Sequence, residues 1–333
     1  MSGEKRHPRG SRQAMPDGSG SKVTVYAALA GNLLVAATKG VAAAWTGSAS
    51  MLSEAVHSFA DTSNEVLLLY GMRRASVPPD PTHPFGHGRE LYFWSFIVAL
   101  LIFALGAGVS IYEGVLHILA PEEVEDPIVN YVVLALAVVF EGTSWTVALR
   151  KFREAKGDLG YFEAFRRSKD PPSFMVLFED SAALIGIVLA ALGTFASTRL
   201  GLPVMDGVAS ILIGVVLTAT SVLLAQESKS LLLGERAHRA LVEAIMRTTA
   251  AEPGVESANG IITTQMGPDQ IVAALSVDFD DALSARDVEQ IIARIERKVR
   301  AEHPEIVTLF VKPQSERAFR ESLDRRYGER RST

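Results

Sequence analysis

Cysteine is absent from all 333 residues. Disulfide bridges and thiolate metal ligands are therefore excluded, and any metal has to be held by imidazole, carboxylate, carbonyl oxygen or water. No HExxH pair or comparable signature of a hydrolytic metal centre is present either, which argues against an enzyme. The first twenty residues lack the apolar core of a signal peptide. They are rich in Gly, Ser, Pro and basic side chains, so residues 1–21 are expected to be an uncleaved, flexible cytosolic tail. Charged residues are scarce, 21% against 48% hydrophobic, and the apolar ones gather in the first two thirds of the chain, as in a membrane protein. The net charge of -5 averages a lipid-embedded part and a charged C-terminal part, and so points to no nucleic-acid partner.

A bilayer core takes about 20 apolar residues in a helix. Such runs occur near 22–44, 48–72, 91–119, 128–149, 174–197 and 204–226, which predicts an α-helical bundle of six spans over 22–230. One set of connections is basic: Arg73, Arg74 and Arg89 in the first, and Arg150, Lys151, Arg153, Lys156, Arg166, Arg167 and Lys169 in the next. The alternate connections have no Lys or Arg near Ala44–Ser50, four acids between Pro121 and Pro127, and only Arg199 in the last. The positive-inside rule then places both termini in the cytosol, in agreement with an even number of spans. This is an integral membrane protein by expectation, of the plasma or inner membrane if the source is bacterial, with lipid as its first partner.

From Leu231 the pattern changes to that of a small soluble domain, expected over 231–315. A helix is predicted for His238–Ala251, strands for Gly254–Thr264 and Ile271–Phe279 around a turn at 266–269, and a last strand for Ile306–Val311. Ser284 should cap a helix to about Arg300, with Val288, Ile291, Ile292, Ile295 and Val299 on one face. The order is αββαβ, a small ferredoxin-like α+β domain, followed by a flexible charged tail at 316–333. So few elements bury little surface alone, which favours pairing into a homodimer.

The chemistry concentrates in the second span. His57, Asp61 and Glu65 recur every four residues and share one face of a helix, where ionisable groups in lipid mark an ion site more often than a structural hydrogen bond. Glu65 nears the cytosolic end and could instead pair with Arg73 or Arg74. The fifth span buries Glu179 and Asp180, which point about 100° apart on a helix, with Asp180 the first choice for the same site. Glu141 in the fourth span either faces the ion path or is a protonated structural acid. Asp80, His83 and His87 lie in a Pro- and Gly-rich connection where a turn is expected, and form a possible second metal site or a merely polar loop. Arg89 could pair with Glu227 or Glu235 and tie the bundle to the soluble domain.

Together these features resemble the cation diffusion facilitator family of zinc transporters. The likeness rests on Thr46–Met51 (TGSASM), His57–Asp61 (HSFAD), Asp80–Arg89 (DPTHPFGHGR), Asp206–Ser210 (DGVAS) and the αββαβ domain. Lys169-Asp170-Pro171 and Leu177–Ala183 are most similar to the branch that includes mitochondrial zinc transporter nine. The resemblance implies a transport site at His57, Asp61 and Asp180, no cofactor, a divalent cation as cargo and protons as counter-ion. It also implies efflux from the cytosol by alternating access, with zinc first and manganese, iron or cobalt as alternatives. A passive channel is the nearest rival. Val176 stands where the family carries a histidine four residues before the helix-five acid, so Glu179, Glu141 or water has to complete the shell. In the soluble domain only His238 and His303 are available, far apart in sequence, which argues against metal sensing there.

Overall fold

The computed structural model describes residues 18–121, 126–157 and 159–328; most of the expected N-terminal tail, and the end of the C-terminal one, lie outside them. Six long helical stretches run where spans were expected: α1 (Gly18–Thr46), α2 (Ala49–Ala75), α3 (Arg89–Leu101) continuing into α4 (Gly108–Leu119), α5 (Pro127–Lys156), α7 (Pro171–Arg199) and α8 (Val204–Leu233). A π-helical segment, Ile102–Ala107, joins α3 to α4. The basic connection after α5 contains a short helix absent from the sequence expectation, α6 (Tyr161–Arg167), seated through buried Ala164 and Phe165.

Among the described residues, four stretches are long and apolar enough to cross a membrane: Arg89–Leu119, Pro127–Glu154, Phe174–Arg199 and Val204–Leu233. Helix α2 is as long but carries Glu54, His57, Asp61, Asn64 and Glu65, and it lies inside the bundle, packed against α1, α3, α4, α7 and α8. Its polar residues thus face protein rather than lipid, the arrangement a low-dielectric solvent demands. Helices α4 and α8 approach closely at Gly114 and Gly207. A Cβ on Gly114 would lie 2.6 Å from the Gly207 carbonyl oxygen, so only glycine fits this backbone-to-backbone contact.

The C-terminal part holds α9 (Arg239–Ala250), β1 (Val255–Gly267), β2 (Gln270–Phe279), α10 (Ala285–Glu302) and β3 (Ile306–Pro313). The sheet order is β1-β2-β3, with β1 antiparallel and β3 parallel to β2, as an α-helical crossover between β2 and β3 requires. Ser284 caps α10 as its sequence indicated, with Asp287 completing a reciprocal capping box. Ile291, Ile295 and Val299 are buried against Ala273, Leu275 and Val277 of β2 in one core. Within the segment 316–333, where a flexible tail was expected, the described residues depart from it, and 329–333 lie outside them. Glu316–Tyr327 form α11, whose first turn is capped by Ser315, and whose Phe319 lies over Gly260 of β1, where a side chain would collide with the ring. Its charged composition hid this: Phe319 and Leu323 line the groove between the helix and the sheet.

The core of the soluble part depends on α10. Replacing Ile295 with alanine is expected to destabilise it by about 2–5 kcal/mol, read as faster amide exchange in β2 of the intact protein, with the transmembrane helices unaffected.

Candidate metal-transport site

The site begins with the seating of α2. Gly47 adopts a left-handed φ of +65°, and Ser48 caps the helix by accepting the Met51 N–H at 3.1 Å. Ser48 Oγ also donates to both carboxylate oxygens of Asp206 on α8, at 3.0 and 3.1 Å. The same carboxylate accepts the Ser50 N–H at 3.1 Å and the Ser50 hydroxyl at 2.5 Å. One turn on, the Ser53 and Ser210 hydroxyls meet at 2.5 Å, and Ser210 donates to the Ser110 carbonyl at 2.7 Å. These buried bonds set the rotation of α2, and with it the direction in which its ionisable stripe points.

That stripe faces a small cavity of about 10 Å³, room for roughly one water-sized body. Five carboxylates from three helices line it: Asp61 and Glu65 from α2, Glu141 from α5, Glu179 and Asp180 from α7. Two asparagines steady the wall. Asn32 of α1 donates to Glu65 at 2.8 Å, and Asn64 of α2 donates to Glu179 at 3.0 Å. Asp61 Oδ1 and Asp180 Oδ2 are buried and accept no hydrogen bond. Bare carboxylate oxygens in such a place are costly unless a cation or proton satisfies them, so this donor set suits a hard or borderline divalent ion.

Of the residues singled out by sequence, Asp61, Glu141, Glu179 and Asp180 thus meet at one cavity, and Glu65 joins them rather than Arg73 or Arg74. His57 stands beside it: the ring is buried, Nδ1 lies 3.5 Å from Asp61 Oδ1, and Nε2 has no partner. It is not part of the cavity lining, and reaches the site through Asp61. Val176 does line the cavity, and puts an apolar wall where a donor would otherwise stand.

Sequence reasoning missed Lys39 and Glu54. The Lys39 ammonium on α1 donates to Glu54 Oε2 at 3.0 Å and to Ser58 Oγ at 2.7 Å, with both charged side chains fully buried. A lysine well inside an apolar span, and an acid three residues before His57, were the signals available.

The loop residues also come together. Asp80 Oδ1 accepts the N–H groups of Thr82 and His83 at 2.7 Å each, which fixes the expected turn. His87 Nε2 lies 3.0 Å from Asp80 Oδ2, and the two imidazole rings sit 4.2 Å apart. The potential ligand atoms of Asp80, His83 and His87 all lie within 4.8 Å of one another. The hydrogen bond with His87, followed by the His83 backbone N–H, holds the Asp80 carboxyl below its ordinary range. A carboxylate already ionised is ready to bind a cation.

Near this loop the bundle meets the soluble part. Glu235 takes Lys169 as its ion-pair partner rather than Arg89, and the Arg89 guanidinium lies by the backbone of Gly234. Phe85 of the loop meets Phe310 of β3 edge to face, with centroids 6.5 Å apart.

Comparison with known proteins gives a matching description of both parts. Residues 25–233 match the cation efflux transmembrane domain, and residues 237–314 match the cytoplasmic domain of cation efflux proteins. The chain is 34% identical over 274 residues to the mitochondrial proton-coupled zinc antiporter SLC30A9 of Xenopus laevis, covering 80% of this chain and 49% of that protein. Against its Homo sapiens counterpart it is 33% identical over 261 residues, covering 76% and 46%. The chain therefore spans about half the length of these relatives. It is 26% identical over 261 residues to the cation-efflux pump FieF of Cronobacter sakazakii, covering 78% of this chain and 81% of that protein.

The clamp on α2 is open to test. Asp206→Ala leaves the Ser48 and Ser50 donors without their acceptor, at about 1–3 kcal/mol for each group left unpaired in the interior. A lower unfolding temperature of the detergent-solubilised protein is expected, with no comparable loss for Val176→Leu.

Proposed function

Because the chain belongs to the cation efflux family, whose transmembrane domain accounts for residues 25–233, we propose that it exports a divalent transition metal from the cytosol in exchange for protons. Zinc is the first choice of cargo. The observation that carries this reading is the convergence of five carboxylates from three helices on one ion-sized cavity, with an oxygen on each of Asp61 and Asp180 that accepts no hydrogen bond.

In this reading α1, α2, α3 with α4, α5, α7 and α8 are the six spans, and both termini lie in the cytosol. The basic links after α2 and α5 support that orientation, as does the scarcity of Lys and Arg in the alternate links. Residues 22–230 then form the membrane domain and 231–315 the soluble one, extended by α11. Asp61 and Asp180 are the principal metal ligands. Glu141 is the most available further oxygen, since Glu179 is engaged by Asn64 and Val176 supplies nothing. His57 orients Asp61 and is close enough to join the shell after a small rotation. An oxygen-rich shell discriminates poorly between zinc and manganese, iron or cobalt, which is the main alternative for the cargo.

Metal and protons compete for the same carboxylates and imidazole, so one site can bind either in turn. Export of a divalent cation against an inside-negative potential costs about 4.6 kcal/mol per 100 mV, twice the single-charge figure, and inbound protons offset part of it. The closed, ion-sized cavity favours this cycle over a channel, which needs a continuous wet path. Asp80, His83 and His87 form a second, cytosolic cation site in the same reading. The soluble domains pair: Ile262, Ala274 and Phe310 form an exposed apolar rung across all three strands, a surface suited to a second copy.

The reading is tested in proteoliposomes holding a zinc-sensitive dye, under an imposed pH gradient. Asp61→Ala is expected to lower zinc flux by about tenfold or more, and Val176→His to raise preference for zinc over manganese by about tenfold. Flux indifferent to both Asp61→Ala and the pH gradient would reject it.

A further inference from the structure

We propose that Glu54 is a second cation station, on the outward route from the cavity, and that Lys39 holds it closed by standing in for the ion. The inference rests on the transport reading above and names a residue pair that the reading does not use. Lys39 touches both ends of the gap: its ammonium binds Ser58 Oγ, on the cavity wall, and Glu54 Oε2, beyond it. Glu54 precedes Asp61 by seven residues, about 10 Å along α2. It lies toward Ser48, the end that the charge pattern places outside.

The Glu54 carboxylate is only half satisfied. Oε2 has the lysine, whereas Oε1 is buried without any partner. It faces Gly186 on α7, where any Cβ would run into that oxygen. A fully buried carboxylate with one bare oxygen and a tethered cation on the other has the acceptor capacity of an ion site, already filled by an ammonium. A purely architectural role would be served as well by an apolar pair, because two charges taken out of water seldom return their desolvation cost.

Polar groups continue past Glu54. The Ser53–Ser210 contact and the Asp206 cluster follow along α2, and Ser48 lines a wider space of about 500 Å³ at that end of the bundle. His117 borders the same space, nine-tenths buried, with Nε2 unpartnered. Side-chain oxygens therefore succeed one another between the cavity and that space, and the ion pair is the first of them. A divalent ion moving outward takes the place of the ammonium on Glu54, so the cationic charge beside that carboxylate rises from one to two during the exchange. With the site empty of metal, Lys39 returns and closes the path.

The experiment uses the full chain and zinc alone. Equilibrium zinc binding is measured in detergent and zinc flux in proteoliposomes, for Lys39→Met, for Lys39→Met/Glu54→Gln and for Asp61→Asn. Lys39→Met is expected to bind about one more zinc per protomer, and the double variant to lose it again. The double variant leaves no unpaired buried charge, so it is the one that keeps the test independent of folding. Its turnover is expected to fall about tenfold or more while its KM stays within about twofold. Wild-type turnover in the double variant, or unchanged zinc stoichiometry in a folded Lys39→Met, would overturn the station and leave the cavity's role standing. Zinc binding and flux untouched by Asp61→Asn would overturn the transport reading itself.

Discussion

Five carboxylates can share a cavity inside an apolar bundle only if the helix that brings two of them is held at one rotation. In this protein that task falls to the Asp206 carboxylate, which collects the hydroxyls of Ser48 and Ser50 and the Ser50 N–H at the start of α2. In lipid a helix has no hydrophobic reason to prefer one face over another against its neighbours, so rotation has to come from packing and from hydrogen bonds. Small residues supply the packing, with α4 and α8 in backbone contact at Gly114 and Gly207. The serine and aspartate cluster supplies the directional part. A turn of α2 by one residue, about 100°, would carry Asp61 out of the cavity and toward a neighbouring helix or lipid.

How much of this could be read from the chain alone depends on whether a feature is local. The stripe of His57, Asp61 and Glu65 follows from spacing within one helix, and the loop trio of Asp80, His83 and His87 follows from eight residues of turn-forming sequence. The αββαβ order and the Ser284 cap were legible for the same reason. Three things were not. Spacing cannot say which of the residues on one stripe reach a shared space, and the structure puts Glu65 on the cavity wall while His57 stands behind Asp61. The Lys39–Glu54 pair joins two helices whose relative rotation no periodicity reveals. Helix α11 looked like a charged tail because Phe319 and Leu323, which line its groove against the sheet, stand among mostly polar neighbours.

Charge balance in the bundle has a further consequence. Around the cavity, acids far outnumber bases, and the fully buried lysine is already committed to Glu54. A low-dielectric interior does not tolerate several ionised carboxylates at contact distance, so the cluster is stable only with protons or a cation aboard. In the exchange proposed above that condition would be the physical basis: the same electrostatic excess that draws in a divalent ion would draw in protons when it leaves. An imidazole in the place of Val176 would add a neutral donor and narrow the choice of metal without adding negative charge. The apolar Val176 wall leaves carboxylates as the ionisable lining of the cavity.

Helix α7 links this chemistry to the soluble part. Lys169 stands just before the Pro171-Pro172 start of α7 and is paired with Glu235, the residue that follows the end of α8 at Gly234. Glu179 and Asp180 lie two to three turns further along the same helix. Proline at the first turn stiffens that start, because its φ is already set for a helix. A displacement of Glu235 with the soluble domain would therefore pull on the end of a stiff rod whose other turns carry two of the cavity's carboxylates. The loop bearing Asp80, His83 and His87 is braced against the same domain through Phe85 and Phe310. The loop and the start of α7 are thus both tied to the soluble part, so in the proposed cycle a movement of that part would be felt at both.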